Sequence, residues 1–287
     1  MRANLCYQSI YYLTKITTNV ILSPSNDWMT NMSGEALRKV RKQRGWTQAE
    51  AGARLGVSQA YVALLEKGRR PVPADLARKA VRAFKLNPVF LPVTSTQHSA
   101  FGTQRKNQHS ALSSQHSSKP SATAGQSQVN EMLARDLSRL GYPGFAYLRG
   151  GWLKNPGEVL LTALAQPNLD SRVAEALPWL LLHYPEVDSD WLVTQARLLN
   201  LTNRLGFVVD LARRVLERNS ETNSPRYHAL TRLSNTLGAG RLAVEDTFGQ
   251  ASLTETERKW FRANRPQEAQ FWNLLTNWQP EFLQYAL

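Results

Sequence analysis

The sequence predicts an all-α protein built from two helical domains. Three observations carry that expectation. Helix caps and glycine stops recur from Ser33 almost to the end of the chain. Apolar residues fall at helical spacing, with no convincing alternation of the kind strands need. A chain of 287 residues with 42% apolar content can fill two cores, at ~100–200 residues per domain.

Composition narrows the function. No stretch approaches the ~18 uninterrupted apolar residues that a membrane span needs, so no membrane role is expected. A lone cysteine, Cys6, excludes an intramolecular disulfide framework and a cysteine-rich zinc module. The formal net charge is +13, and it is concentrated. Residues 1–31 carry net +1, residues 32–92 carry thirteen basic and four acidic side chains for net +9, residues 93–128 carry +3, and residues 129–287 balance at seventeen of each. A local excess of this kind suits a phosphate-facing domain.

These shifts divide the chain into four parts. Residues 1–31 read as a disordered arm, or as the product of a start assigned too far upstream, because Met29 and Met32 stand just ahead of the first clear helix. Residues 32–92 form the basic domain. Residues 93–128 are rich in Ser, Gln, Thr and His and read as a flexible polar linker that lets one domain search while the other holds a partner. Its His98, His109 and His116 lack the Cys or carboxylate neighbours of a metal site, so no metal is expected. Residues 129–287 form the second helical domain.

Within the basic domain the punctuation is dense. Ser33 caps a first helix that Gly45 closes. Thr47-Gln48-Ala49-Glu50 is a capping box for a second helix reaching Leu55. Gly56 supplies the positive φ of a tight turn, and Ser58 caps a third helix ending at Lys67-Gly68. Pro73 opens a fourth, through Phe84. Ala51, Leu55, Val57, Val62 and Leu65 are apolar where two crossed helices meet. Gly52 is small where they approach closest, since a mid-helix glycine otherwise costs ~1 kcal/mol. The start of the third helix is left exposed, and a helix presented in this way fits the major groove.

Residues 35–86, through Thr47-Gln48, Gly56-Val57-Ser58 and Leu65-Glu66-Lys67-Gly68-Arg69-Arg70, resemble the Cro/lambda-repressor-like (XRE) helix-turn-helix family. The resemblance implies that Ser58, Gln59, Ala60 and Tyr61 read bases, with Ala63 and Leu64 nearby. It implies a phosphate contact at Gln48 and an internal ion pair between Arg41 and Glu66. Thr47, Lys67, Arg69 and Arg70 complete the expected phosphate set. Several relatives place more polar side chains after the cap. Here Ala60, Ala63 and Leu64 are apolar, which leaves Gln59 as the strong bidentate reader of adenine N6/N7. Tyr61 is read either as a phosphate or thymine-methyl contact or as packing on the fourth helix. Arg38, Lys39, Lys42, Arg78, Lys79 and Arg82 are expected to face solvent.

The second domain reads as a helical bundle. Expected helices are Val129–Leu140, one opened by Asn155-Pro156-Gly157-Glu158, one through Val173, Leu177, Leu180 and Leu181 bent or broken at Pro178, then Trp191–Leu199, Leu201–Arg218 and Tyr227–Val244. Thr254-Glu255-Thr256-Glu257 boxes another, and Pro266 opens a last helix holding Phe271, Trp272 and Leu275. Trp179 and Trp191 fall on apolar stripes and are assigned to the core, whereas Trp272 and Trp278 are candidates for an exposed contact. Glu186, Asp188 and Asp190 flank a helix start and read as caps, not catalysts. His183, between leucines and Tyr184, reads as a partly buried histidine. No phosphate-binding glycine loop or catalytic cluster appears, so neither enzymatic activity nor a cofactor is expected.

The reading is a cytoplasmic regulator that inserts its third helix into an operator in double-stranded DNA. The resemblance implies a homodimer, and a repressor or autoregulator is favoured because family members often repress. The alternative is an antitoxin-like protein whose residues 129–287 sequester a protein partner while the basic domain autoregulates.

Overall fold

Four short helices are cut to length by their own caps. The computed structural model describes residues 32–93 and 122–285. The arm with Cys6 and the polar stretch with His98, His109 and His116 lie outside the described residues. In the first lobe, α1 (Gly34–Gln43), α2 (Gln48–Leu55), α3 (Gln59–Glu66) and α4 (Ala74–Phe84) are followed by a 3₁₀ turn at Pro88–Phe90. Ser33, Thr47 and Ser58 each accept a backbone N–H in the first turn of the helix they cap. Gly56 ends α2 at φ 72°. Gly52 faces the turn: a β-carbon there would lie 2.7 Å from the carbonyl oxygen of Val57, so the α2–α3 crossing admits no side chain. Leu37, Leu55, Val62, Leu65, Ala77, Ala80 and Phe84 are buried in the resulting core.

The second lobe comprises α5 (Ala122–Leu140), a 3₁₀ turn (Pro143–Phe145), α6 (Pro156–Leu164), α7 (Ser171–His183), α8 (Ser189–Leu198), α9 (Thr202–Arg218), α10 (Pro225–Gly238), α11 (Glu255–Asn264), α12 (Gln267–Phe271) and a 3₁₀ turn at Pro280–Phe282. Central to it is α9, whose Leu205, Phe207, Val208, Val209, Ala212 and Leu216 are buried. It packs on α6, α7, α8, α10 and α12. Among the described residues no helix is long and apolar enough to cross a membrane.

The architecture departs from the expected elements in four places. Helix α5 starts at Ala122, inside the stretch read as linker. Helix α7 continues through Pro178, because the proline removes one hydrogen bond while Val173, Ala176, Leu177, Trp179 and Leu180 are all buried along the same helix. Helix α10 ends at Gly238, short of Val244. The last expected helix stops at Phe271. Asn273 then takes φ 52°, and Leu274–Leu275 (β2) pairs in parallel with Asp246–Thr247 (β1), in register Asp246 with Leu274. Asparagine tolerates that left-handed backbone better than most residues, which lets the chain turn there.

That turn carries Trp272 inward. It is fully buried, its ring seated against Gly206 of α9 and its Nε1 donating to Asp210 Oδ2 at 2.6 Å. The expectation of an exposed Trp272 is therefore corrected. Trp278 is half-buried against the same core, Trp179 is buried, and Trp191 is half-buried. His183 is exposed and stacks on Trp179 at 4.2 Å.

The two lobes touch. Asn155, Trp152, Leu153 and Glu186 of the second meet Val89, Leu91, Arg78 and Asn87 of the first.

Candidate nucleic-acid interface

Helices α2 and α3 present their amino-terminal ends at the surface, each with a capping hydroxyl and the partial positive charge of its unpaired amides. At α3, the Ser58 hydroxyl accepts from the Tyr61 amide at 3.2 Å. Ser58, Gln59 and Ala60 are exposed. Tyr61 is half-buried and packs on the core of its own lobe. The first turn of α3 thus offers one long polar side chain, that of Gln59.

At α2, both donors of Thr47 point into its own cap. Its amide donates to Glu50 Oε2 at 2.7 Å and its hydroxyl to the same oxygen at 3.0 Å, while that hydroxyl accepts from the Glu50 amide at 3.2 Å. The amide bond from Thr47 is the main cause that holds the Glu50 carboxyl below its ordinary pKa. Thr47 therefore holds the end of α2 in shape and, in this arrangement, has no donor left for a phosphate.

Beneath this surface lies a three-member network. Arg41 on α1 meets Glu66 at the end of α3 in a two-bond pair, Nε to Oε1 at 2.5 Å and a terminal nitrogen to Oε2 at 2.9 Å. Both residues are buried. Gln48 Nε2 donates to Glu66 Oε2 at 2.9 Å, so the side chain that opens α2 is oriented by the residue that ends α3. One amide hydrogen of Gln48 remains for an outside acceptor. Burial pushes the Glu66 carboxyl up, but the bonds from Arg41 and Gln48 outweigh it and hold the pKa below the ordinary value.

Lys67, Arg69 and Arg70 follow α3 directly and are exposed. The amide of Arg69 donates to the carbonyl of Leu64 at 3.0 Å, which closes the end of α3. Arg38, Lys42, Lys79 and Arg82 are exposed. Arg78 is not: it pairs with Asp75 at 3.0 Å and lies over the Trp152 ring of the other lobe at 5.5 Å. Its proximity to an aromatic 74 residues later had no local signal in the sequence.

Other features were equally silent. Arg44 donates to the carbonyl of Phe84 at 2.7 Å, and Arg54 stacks over Trp46 at 4.1 Å, so two of the basic residues tie the lobe together. Asp188 caps α8 as its position suggests, but Glu186 accepts from Asn87 at 2.9 Å across the two lobes.

Comparison with known proteins agrees with this geometry. A helix-turn-helix family profile matches residues 37–91. The chain is similar to an uncharacterized HTH-type transcriptional regulator of Sinorhizobium fredii, 36% identical over 76 residues, which is 26% of this chain and 97% of the relative. No solved structure matches the chain.

Proposed function

We propose, from the premise that this chain belongs to the XRE-type helix-turn-helix family, that it is a sequence-specific DNA-binding regulator of transcription which reads the major groove with the first turn of α3. The observation that supports this most is the exposed, Ser58-capped start of α3 within a segment of net charge +9. In this reading Gln59 pairs with an adenine edge, while Ser58, Ala60 and Tyr61 line the groove. Gln48, Lys67, Arg69 and Arg70 hold phosphates, and the remaining amide hydrogen of Gln48 is the donor it offers. Thr47 contributes by fixing the end of α2. The protein acts as a homodimer on a two-fold operator, with half-sites about one helical turn apart, ~34–36 Å. It represses, its own gene included.

The test is genome-wide mapping of binding sites with the native protein. Two-fold sites, one of them at its own locus, are expected. Indifference to every duplex from that locus at low salt would overturn the reading. Capture of a single neighbouring gene product in one-to-one complex, without a free homodimer, would favour the partner-sequestering alternative.

Two substitutions separate base reading from phosphate holding. Gln59→Ala is expected to lose roughly 1–3 kcal/mol on operator and little on random duplex. Equal losses on both, measured by fluorescence anisotropy, would remove Gln59 from the base-reading set. Arg69→Ala is expected to weaken both duplexes alike and to lower the slope of log K against log salt by about one. An unchanged slope would place Arg69 off the backbone.

A further inference from the structure

Two apolar residues join the cores of the two lobes. Val89 follows the fourth helix of the DNA-binding lobe, yet it is buried among the side chains of the second core. Leu153 precedes α6 of the second lobe and, half-buried, packs on both cores at once. Between them lies Asn155, 6% exposed. Its Oδ1 accepts from the Gly157 amide at 2.9 Å and so caps α6. Its Nδ2 donates one hydrogen to the carbonyl of Val89 at 2.8 Å and the other to the carbonyl of Leu91 at 3.0 Å. Every donor of the side chain is thus in use, and both reach backbone of the other lobe. Parting the lobes would strip partners from a buried amide and from two carbonyls at once.

Residues 146–154 make a second attachment. They are tied down on α5: Ser138 Oγ donates to the carbonyl of Leu148 at 3.1 Å, Arg139 to that of Gly151 at 3.3 Å, and Lys154 pairs with the buried carboxylate of Asp136 at 2.7 Å. Trp152 is thereby held beneath the guanidinium of Arg78 on α4, a cation–π arrangement. Asn87 and Glu186 tie a third point.

We propose that this joint is a rigid coupling, by which the second lobe holds the DNA-binding lobe in one orientation and so sets the spacing and direction of the recognition helices on DNA. Domains joined within one chain ordinarily move against each other unless their interface is extensive and apolar. Here the burial of Val89 in the second core, the shared Leu153 and the fully used amide of Asn155 replace sheer area. Only the consequence for DNA rests on the function proposed above.

The test uses the intact chain and Asn155→Asp. That variant keeps an oxygen for the Gly157 amide but removes both donations and sets a carboxylate against two carbonyls. Rotational correlation times from ¹⁵N relaxation, without DNA, are expected to be equal for the two lobes of the wild type. In the variant the smaller lobe is expected to tumble about twofold faster, as an independently moving domain would. Two separate times in the wild type, or one shared time in the variant, would overturn the proposal. If Asn155→Asp unfolds α6, Val89→Ser opens the joint from the other side with the cap intact, and the same two outcomes apply. With DNA, the variant is expected to lose about tenfold on a two-half-site duplex and to match the wild type on a single half-site, since only simultaneous engagement needs fixed geometry. Equal loss on both overturns the spacing role. If neither protein binds any duplex, the DNA-binding reading fails while the tumbling result still decides the coupling.

Discussion

Arg41→Ala should lower the stability of the DNA-binding lobe by about 3–5 kcal/mol, because it leaves the Glu66 carboxylate buried without its cation. Both residues are under a tenth exposed, so water cannot replace the guanidinium without opening the α1–α3 contact. The same guanidinium also donates to the carbonyl of Trp46 at 2.7 Å, so the turn between α1 and α2 loses an anchor as well. Hydrogen exchange in the intact chain is the measurement: amides of α1 to α3 should lose protection while those of α9 keep theirs. Unchanged protection at Leu37 and Leu65 would sink the assignment.

The pH response carries the opposite sign in the two proteins. In the wild type the Glu66 pKa lies below its ordinary value of 4.5, so the unfolded chain binds the proton more readily. The pair's stabilisation is complete above that value and is lost as pH falls through the folded pKa. In the variant, burial acts on Glu66 without Arg41 to oppose it, its pKa rises, and mild acidification should recover part of the loss.

Trp272→Ala should cost the second lobe about 3–5 kcal/mol through the cavity it leaves. A further ~1–3 kcal/mol follows from the Asp210 oxygen that loses its donor. The ring fills a slot made for it: a β-carbon on Gly206 would lie 2.4 Å from it. Asp210 is buried and also accepts from Ser234 at 2.8 Å and Arg213 at 3.3 Å, so the indole closes a network joining α9, α10 and the end of α12. Trp272→Phe removes the N–H together with part of the ring that meets Gly206, and so should fall between the other two. Urea unfolding should rank wild type above Trp272→Phe above Trp272→Ala. A phenylalanine variant as stable as the wild type would show that the bond to Asp210 contributes nothing.

Local chemistry is what the sequence discloses best. Caps at Ser33, Thr47, Ser58, Asn155 and Thr254 need only neighbours two or three residues away, and each is present. The all-α class followed from the same signals. Arg41 and Glu66 stand 25 residues apart, and nothing in their spacing joins them; the family resemblance did. Trp272 was misplaced because its nearness to the chain end suggested exposure. The informative residues were Gly206 and Asp210, some sixty positions earlier, a glycine and an acid one helical turn apart in the otherwise apolar run 205–212 of α9. Asn155 was recognised as a cap through its oxygen, but its nitrogen serves residues 64 and 66 positions earlier. One side chain performs a local task and a distant one, and only the local task has a sequence pattern.

The burial of Val89 in the second core also bears on how the protein is made. Synthesis runs from the amino terminus, so the four-helix lobe leaves the ribosome before Leu153 has been translated. For that interval Val89 has no second core to enter, and the nascent lobe meets water on the side that later becomes a joint. The joint is thus completed only when the late-born part arrives, and a chain truncated between them would leave Val89 without the core it enters.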